Sequence, residues 1–380
     1  MNMKRILIFD TELSGHHLEY IHHLYLLALR SKDCYVFCVP DKIKQIKNYL
    51  NWEIKENISF VFLTEQEINR CRNNMLISSF RKSVLLREKV KKVRATDVFL
   101  ISLIGFLPFI PFVLYGTKIH GIIYQIYLYR WSISTCYQRI LDVVKYIILS
   151  KFKCFKAVYI LNDHLSCKLL NRIYSTDKFK YLPDPFVPIT YEGIDKIDRS
   201  MLGINKSEAV YLHIGDMRRR KGTLEILDSI KYLDHNVPVN TCFIFAGRIS
   251  DEIKSDFYKK YDECKSDVHI IVYDQFCEYA FFASLCLISD YLLIPYKFVG
   301  QSSGMAGYAS LFKIPLIGPN KGLIGKLITK YKLGYALSDV DALGIANFIN
   351  DDKKDRFTVS DLYLKENNVD SFISAIGGNF

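Results

Sequence analysis

The sequence lacks the paired cysteines that mark disulfide scaffolds and zinc sites. Its ten cysteines are scattered along 380 residues, no two form a C-x-x-C pair, and several lie inside apolar runs. Cysteines in this pattern are typical of small buried residues in a reducing compartment. A secretory signal is also missing, because the first apolar run is only four residues long and ends before Asp10. These absences favour a cytoplasmic location.

An uninterrupted membrane-spanning segment is also lacking. Residues 98–115 carry no charge, but Pro108 and Pro111 interrupt their middle and Gly105 is nearby. A spanning helix needs about 20 predominantly apolar residues. The favoured interpretation is therefore a buried strand followed by a short helix, and a spanning helix is the alternative.

Acidic residues are the minority among the charged ones. The chain has 51 Lys and Arg against 40 Asp and Glu, which gives a net charge of +11. This excess indicates a negatively charged partner, namely nucleic acid, a phosphate-bearing ligand or an anionic membrane surface. Half of the residues are apolar and 24% are charged, as in globular proteins, and the length suits two domains.

Apolar strands alternate with helical segments through both halves of the chain. The predicted strands are RILIFD, CYVFCV, ISFVFL, DVFLIS, KIHGIIYQIYL and KAVYILND in the first half, and AVYLHIGD, TCFIFAGR, VHIIVYD, DYLLIPY and IPLIG in the second. The prolines of YLPDPFVP, residues 181–188, mark the boundary. The pattern predicts an α/β fold with two Rossmann-like domains, 1–186 and 187–357, facing across a cleft, and a closing helix over 358–380.

Ligands of such sheets bind beyond the carboxyl ends of the strands, at helix N-termini. The first of three such corners follows the opening strand, where Gly15 permits close backbone approach and His16 and His17 begin a helix. A neutral histidine there can exchange a proton or a hydrogen bond with a bound hydroxyl. The alternative is a glycine turn with a helix-capping histidine. No G-x-G-x-x-G is present, which counts against NAD.

The second corner is HIGDMRRRKG, where a predicted strand ends at Gly215. The successive cations Arg218, Arg219, Arg220 and Lys221 then precede Gly222, which opens a helix. Guanidinium and ammonium groups beside unpaired amides make a diphosphate clamp. A solvated run of charges is the alternative interpretation.

The third corner is GQSSG, which follows the strand LLIPY. Gln301 stands before the amides and hydroxyls of Ser302 and Ser303, and these can hold a terminal phosphate with no side chain at Gly304 to obstruct it. Ordinary capping of the helix by serine is the alternative.

These corners resemble the donor site of GT-B glycosyltransferases, and the chain is most similar to glycosyltransferase family 4. The resemblance is strongest over 209–336. In that family an Arg and a Lys in G-R-x-x-x-[RK]-K-G bind the donor diphosphate. Lys221 matches the Lys, while Asp216 stands where the Arg belongs, and Arg218, Arg219 or Arg220 compensates.

The same resemblance implies two glutamates that this chain lacks, because Gly300 and Tyr308 occupy their places. We expect QSSG to bind phosphate and sugar hydroxyls instead, with Tyr308 near the ribose. The resemblance also implies a histidine facing the donor. His120 matches best, His16 and His17 are the other candidates, and a buried structural role is the alternative for His120.

On the acceptor side, Asp163 and His164 end a strand that faces the predicted cleft, with helix capping as the alternative for Asp163. Basic residues interleave with apolar ones over 70–94 and 130–156. Such amphipathic helices lie on anionic lipid, and a solvated helix face is the alternative. This places the protein peripherally at the inner face of the membrane.

The leading hypothesis is a glycosyltransferase that moves a sugar from a UDP- or GDP-linked donor to a glycan or lipid-linked acceptor in surface polysaccharide or glycolipid synthesis. Neither a cofactor nor a metal is expected, and retention of configuration is implied by family 4 alone. An inactive glycosyltransferase-like subunit and a basic nucleic-acid-binding protein are the alternatives. No recognised motif supports nucleic acid as a partner.

Overall fold

The computed structural model describes residues 3–13, 16–46, 52–53, 55–186, 197–234, 237–351 and 357–379, without the side chain of His16. The chain divides into two compact units. Unit 1 is Met1–Asp184 together with Val369–Phe380, and unit 2 is Pro185–Asn368. Each unit contains one parallel sheet with helices on its faces, so the predicted pair of Rossmann-like α/β domains is confirmed.

Within the described residues, the sheet of unit 1 has seven parallel strands in the order β3-β2-β1-β4-β5-β6-β7. The strands are β1 (Arg5–Phe9), β2 (Cys34–Pro40), β3 (Ile58–Leu63), β4 (Asp97–Leu100), β5 (Lys118–Ile123), β6 (Phe155–Leu161) and β7 (Phe179–Leu182). Alternate residues point to opposite faces. Leu7 and Phe9 join the core on one face, and Ile6 and Ile8 join the core on the other.

Helices cover both faces of this sheet. They are α1 (His16–Leu29), α2 (Glu65–Cys71), α3 (Met75–Val93), α4 (Ile110–Val113), α5 (Cys136–Lys151) and α6 (His164–Tyr174), with α14 (Val369–Gly377) from the end of the chain. Helices α3, α4, α5 and α6 share one core with one face of the sheet. On the other face α1 packs against α14, where the rings of Tyr20 and Phe372 are stacked 5.8 Å apart.

The uncharged segment 98–115 forms a strand and short helices, as the favoured interpretation predicted. It continues β4 into a 3-10 turn at Leu103–Phe106 and then into α4. Across the part of the chain that the structure describes, no helix combines the length and the apolar character that crossing a bilayer requires.

The described residues of unit 2 form a sheet of six parallel strands in the order β10-β9-β8-β11-β12-β13. The strands are β8 (Ala209–Ile214), β9 (Thr241–Ala246), β10 (His269–Tyr273), β11 (Tyr291–Leu293), β12 (Leu316–Pro319) and β13 (Gly334–Leu337). The helices of the unit are α7 (Thr223–Ser229), α8 (Asp251–Cys264), α9 (Tyr279–Ile288), α10 (Met305–Phe312), α11 (Gly322–Lys330), α12 (Ala342–Asn350) and α13 (Leu362–Glu366).

Two predicted helices are each divided in the structure. The basic amphipathic segment 70–94 is divided between α2 and α3 because Asn74 caps α3, its side chain accepting the Ile77 amide at 3.1 Å. The closing helix expected over 358–380 is instead α13, which belongs to unit 2, and α14, which belongs to unit 1. The sequence interpretation also omitted β7, α11, β13 and α12. All ten cysteines are free, and most are buried, in keeping with the reading of their pattern.

Candidate functional site

The sheet of unit 2 reverses its order between two neighbouring strands. From β8 the chain proceeds outward to β9 and β10 on one side, whereas β11, β12 and β13 extend on the other side. Ligands of open parallel sheets bind beyond the carboxyl ends of the strands at such a switch point. The loops that meet there are residues 215–222, named the β8 loop, and residues 294–304, named the β11 loop. They contain the cation run and the serine pair that the sequence indicated.

Glycines allow the β8 loop to approach its neighbours closely. Gly222 has φ of 72°, and a Cβ added there would lie 2.1 Å from the carbonyl oxygen of Pro295. Gly215 has φ of 101° and meets Gly247 of the loop after β9, where a Cβ on Gly247 would lie 2.0 Å from the Gly215 oxygen. The Lys297 amide donates to the Arg220 carbonyl at 3.0 Å. The β8 and β11 loops are therefore packed directly together at the switch point.

Lys221 carries positive charge into this corner. Its half-buried Nζ donates to the hydroxyl of Tyr296 at 2.7 Å and lies 4.1 Å from the centre of the same ring. Tyr296 is buried. Among the residues that the structure describes, no carboxylate pairs with Lys221. A hydroxyl partner, unlike a carboxylate, does not compensate the charge of an ammonium group, which suits an anionic ligand.

The three arginines before Lys221 have different environments. Arg218 pairs with the carboxylate of Asp216, and Arg219 donates to Asp256 of α8 at 3.2 Å. Both side chains of the Arg219 ion pair are more than half exposed, so donor binding by Arg219 stays a prediction. The guanidinium of Arg220 is exposed and has no carboxylate partner in the described chain. Compensation for Asp216 by one of these arginines also stays a prediction.

The serine pair leads into α10. Ser303 is buried, and its hydroxyl accepts the Met305 amide at 3.4 Å. A contact of this length is weak. The cap residue of α10 is Gly304, so no side chain caps this helix. Gln301, Ser302 and Gly304 are half-buried at the same end of the helix. The positive end of α10 therefore lies on the β11 loop, next to the β8 loop.

The N-terminal end of α11 also holds the β11 loop in place. The Val299 carbonyl accepts the Leu323 amide of α11 at 2.7 Å. A Cβ on Gly322, which has φ of 67°, would lie 2.3 Å from a Val299 methyl group. Helix α11, which the sequence interpretation omitted, is therefore part of the support of this site.

Tyr308 lies inside unit 2 and is buried in an aromatic cluster. Its ring centre is 5.1 Å from that of Phe186 and 6.1 Å from that of Phe312. Packing accounts for this side chain without a ligand, and its expected position near a ribose stays a prediction.

His213, near the end of β8, connects the elements that carry the two loops. Its Nδ1 is 2.9 Å from the Leu293 carbonyl and its Nε2 is 3.0 Å from the Thr223 hydroxyl, so it ties β8 to β11 and to the first residue of α7. Complete burial lowers the pKa of His213 to about 4. The ring is neutral at physiological pH and adds no charge to the site.

Unit 1 has its own switch point, between β1 and β4, and His17 lies at it. The Nδ1 atom of His17 is 2.6 Å from Oδ2 of the buried Asp10, and its Nε2 atom is 3.8 Å from a Glu12 oxygen. Burial raises the pKa of Asp10, against the opposing effect of the His17 hydrogen bond. A carboxylate on Nδ1 fixes the ring and directs Nε2 toward a substrate. The predicted Gly15 and the His16 side chain lie outside the described structure.

Hydroxyl-bearing side chains surround this corner. The Tyr20 hydroxyl donates to Asp184 at 2.5 Å, and the ring centre of Tyr124, which directly follows β5, is 6.0 Å from those of His17 and Tyr20. Burial raises the pKa of Tyr20 well above its usual range, so the phenol stays neutral. The corner presents carboxylates and neutral hydrogen-bonding groups, which suit sugar hydroxyls better than phosphate.

His120 has a different position from the one that the resemblance implied. It is almost fully buried within β5, and its Nε2 lies 3.5 Å from Asp97, the first residue of β4. It therefore faces the amino end of the neighbouring strand, whereas ligands bind at the carboxyl ends. This position agrees with the structural alternative, and a catalytic role of His120 stays a prediction.

The two acceptor candidates, Asp163 and His164, have different environments. Asp163 is buried and caps α6, accepting the Ser166 amide at 3.0 Å and the Tyr129 hydroxyl at 2.5 Å. Its role is the helix cap that was the alternative. His164 is exposed, and its ring lies flat on Tyr181 with centres 3.6 Å apart. This stacking leaves a role of His164 toward an acceptor as a prediction.

Sequence reasoning missed Asp10 and Tyr296, although both carried a signal. Asp10 is the first polar residue after an apolar strand, and Tyr296 ends the run LLIPY. Among the described residues, no group of three or more His, Cys, Asp and Glu could hold a metal ion. Metal-independence itself stays a prediction.

Comparison with known proteins adds the class of fold. No protein-family model matches the sequence, and no curated protein does so. Solved structures do match, over almost the whole chain. HepE of Anabaena in complex with UDP and glucose aligns with a TM-score of 0.67 at 12% identity, covering 99% of this chain and 98% of its own.

Two further structures give the same result. The UDP-forming α,α-trehalose-phosphate synthase of Burkholderia vietnamiensis aligns with a TM-score of 0.69 at 9% identity and covers 99% of both chains. WaaG, a glycosyltransferase involved in lipopolysaccharide biosynthesis, aligns with a TM-score of 0.61 at 13% identity, covering 98% of this chain and 97% of its own. The chain has the GT-B fold of these glycosyltransferases. Membership in family 4 stays a prediction, because these similarities establish the fold alone.

Proposed function

We propose that this protein is a glycosyltransferase that uses a UDP- or GDP-linked sugar. The observation that carries the proposal is Lys221, a half-buried cation without a carboxylate partner in the described chain, at the switch point of unit 2. The N-terminal end of α10 lies on the neighbouring loop. A cation beside a helix N-terminus suits a diphosphate. The UDP bound by HepE, which has the same fold, agrees with this substrate class.

The chemistry follows from where charge develops. Transfer forms a bond between the acceptor oxygen and the sugar C1 and breaks the bond between C1 and the diphosphate oxygen, and the electrons of the broken bond leave with the diphosphate. Lys221 and Arg220, with the first amides of α10, would stabilise that negative charge. Neither a cofactor nor a metal is part of the proposal. Arg219 and His120 have no role in it.

On the acceptor side, we assign His17 the contact with a sugar hydroxyl. Asp10 holds its Nδ1, so that Nε2 can accept a hydrogen bond from the hydroxyl group. Retention of the anomeric configuration is carried over from the family resemblance alone. In that case a diphosphate oxygen takes the acceptor proton on the same face. Proton NMR of the product, which distinguishes α from β linkage, tests the stereochemistry.

The acceptor class is proposed as a glycan or a lipid-linked glycan, in surface polysaccharide or glycolipid synthesis at the inner face of the membrane. Support comes from the fold shared with WaaG, which is involved in lipopolysaccharide biosynthesis. The acceptor sugar is left open.

Nucleoside diphosphate binding tests the proposal directly. Titration calorimetry with UDP and with GDP should detect binding of one of them to the wild type. Lys221→Ala should weaken that binding by about 30-fold, as expected for the loss of a charge-assisted hydrogen bond. Lys231→Ala is the matched control, because Lys231 is an exposed lysine of the same unit that pairs with Glu263 at 2.8 Å. Binding that is unchanged in Lys221→Ala, or absent in the wild type, would contradict the donor site.

Turnover separates an enzyme from an inactive relative. The wild type should slowly hydrolyse the matching nucleotide sugar, with water in place of the acceptor, and release the nucleoside diphosphate. Tight binding without any release across a panel of UDP- and GDP-sugars would instead favour the inactive glycosyltransferase-like subunit.

A further inference from the structure

The positive charge of the protein is concentrated in one stretch of unit 1. Residues 75–174 contain 16 Lys and Arg against 4 Asp and Glu, a net charge of +12, while the whole chain carries +11. Three of the four acidic residues, Asp97, Asp142 and Asp163, are buried. Only the fourth, Glu88, is exposed. The surface of this stretch is therefore almost purely cationic.

The same stretch exposes large apolar side chains in rows. Helix α5 and the turn before it present one row with a spacing of four, three, four and three residues: Ile133, Tyr137, Ile140, Val144 and Ile147. Within α5 this spacing places Tyr137, Ile140, Val144 and Ile147 on one side of the helix, and Ile133 lies in the turn before it. They are between 43% and 77% exposed, while Ile148 and Leu149 of the same helix are buried against the sheet.

Helix α6 continues this surface. Leu165, Leu169 and Ile173 are 60%, 45% and 48% exposed along one side, and the exposed cations Lys168 and Arg172 stand between them. Helices α5 and α6 are neighbours, because Lys151 at the end of α5 donates to the Tyr174 carbonyl at the end of α6 at 3.1 Å. The two rows and their cations are named the α5–α6 face.

We propose that the α5–α6 face docks on the surface of a bilayer that contains anionic lipid. Apolar side chains enter the boundary between headgroups and acyl chains, while Lys and Arg contact the phosphates. Charge complementarity selects this occupant. A second copy would bring two cationic surfaces together, and a nucleic acid would place its phosphates against rows of Ile and Leu. The proposal does not depend on the glycosyl transfer reaction.

Vesicle sedimentation with the full-length protein tests this proposal. Vesicles of phosphatidylcholine alone are compared with vesicles in which about one lipid in three is phosphatidylglycerol. We expect binding to the anionic vesicles that weakens as salt increases, and little binding to the neutral ones. Ile140→Asn/Ile147→Asn should reduce the partition coefficient by about tenfold or more, because two apolar contacts with the acyl boundary are lost. Lys168→Gln/Arg172→Gln should reduce it by a similar factor.

The matched control is Leu287→Asn/Leu343→Asn in unit 2, since Leu287 is 63% and Leu343 is 53% exposed. This variant should bind vesicles as the wild type does, and all variants should keep the melting temperature and the UDP or GDP affinity of the wild type. Equal partitioning of Ile140→Asn/Ile147→Asn and the wild type would overturn the proposal. So would light scattering that detects a wild-type dimer which this variant dissociates, or binding to duplex DNA that the α5–α6 variants abolish.

Discussion

Unit 1 and unit 2 place different chemistry at the same point of similar sheets. His17 follows β1 and Lys221 follows β8, and each of these strands lies at the switch point of its own sheet. The partners of the two side chains differ. Two carboxylates, Asp10 and Glu12, flank His17, whereas a neutral phenol, Tyr296, holds Lys221. The corner of His17 is therefore acidic, whereas the corner of Lys221 is cationic.

The difference teaches that the fold supplies a position and that local partners supply the charge. A leaving diphosphate needs cations, and a sugar hydroxyl needs a hydrogen-bond acceptor. The net charge is distributed differently, since the cationic stretch 75–174 belongs to unit 1. Net charge alone would point to unit 1 for the diphosphate site, whereas the proposed function assigns it to unit 2.

The largest expected effect is that of removing His17, which tests whether the two corners have separate roles. His17→Ala should lower the rate of donor hydrolysis or transfer by about 100-fold, because a group that contacts the reacting hydroxyl is lost. The UDP or GDP affinity should stay within about twofold of the wild type, since the donor diphosphate is assigned to unit 2. Lys221→Ala should instead weaken that affinity. Calorimetry and a nucleotide-release assay measure the two quantities.

His22→Ala serves as the control for this variant. His22 belongs to the same helix, but its ring stacks on Trp52 with centres 5.5 Å apart, away from Asp10. Its removal should leave turnover unchanged. If His17→Ala weakened the nucleotide affinity as strongly as Lys221→Ala, the assignment of separate roles to the two corners would be wrong.

The second prediction compares one buried histidine from each unit. Burial lowers the pKa of His23 in unit 1 and of His213 in unit 2 from 6.5 to about 4. The folded state therefore excludes a proton that the unfolded state binds below pH 6.5. Stability is fully present above that pH and is lost as the pH falls toward 4. Each histidine should contribute a loss of about 2 kcal/mol in the free energy of unfolding between pH 7 and pH 5.

Urea unfolding at the two pH values measures this loss. His23→Leu and His213→Gln should each shrink the difference between pH 7 and pH 5 by about 2 kcal/mol, whatever they do to stability at pH 7. Both variants are needed because the environments differ. His213 has two hydrogen-bond partners, whereas Nδ1 of His23 has none in the described residues. A pH dependence that neither variant alters would mean that these rings are protonated in the folded state.

The sequence predicted the α/β class, the order of most strands and the position of the loops that contain Lys221 and Ser303. Apolar runs and glycines report local structure, so these features are visible without a fold. Helix α11 was missed even though Leu323, Ile324, Leu327 and Ile328 have helical spacing. This spacing alone would have been sufficient to predict α11.

The roles of individual polar residues were harder to predict. His120, Asp163 and Arg219 each have a residue type that suits catalysis or binding. In the structure His120 is buried beside Asp97, Asp163 caps α6, and Arg219 pairs with Asp256, so each has a structural contact as well. The partners of His120 and Arg219 are distant in sequence, so no local pattern reports these contacts, whereas the cap of Asp163 on Ser166 is local. Asp10 and His17 are also close in sequence and could have been paired.

The smallest expected effect concerns the groups that hold Lys221 and His17. Tyr296→Phe keeps the ring below the ammonium and removes the 2.7 Å hydrogen bond, so UDP or GDP affinity should fall by about threefold. Asp10→Asn should lower turnover by about tenfold without changing that affinity, because the ring of His17 loses a charged partner. Tighter nucleotide binding by Tyr296→Phe would contradict a positioning role. It would mean that the phenol competes with phosphate for Lys221, so that the donor has to displace Tyr296 before it binds.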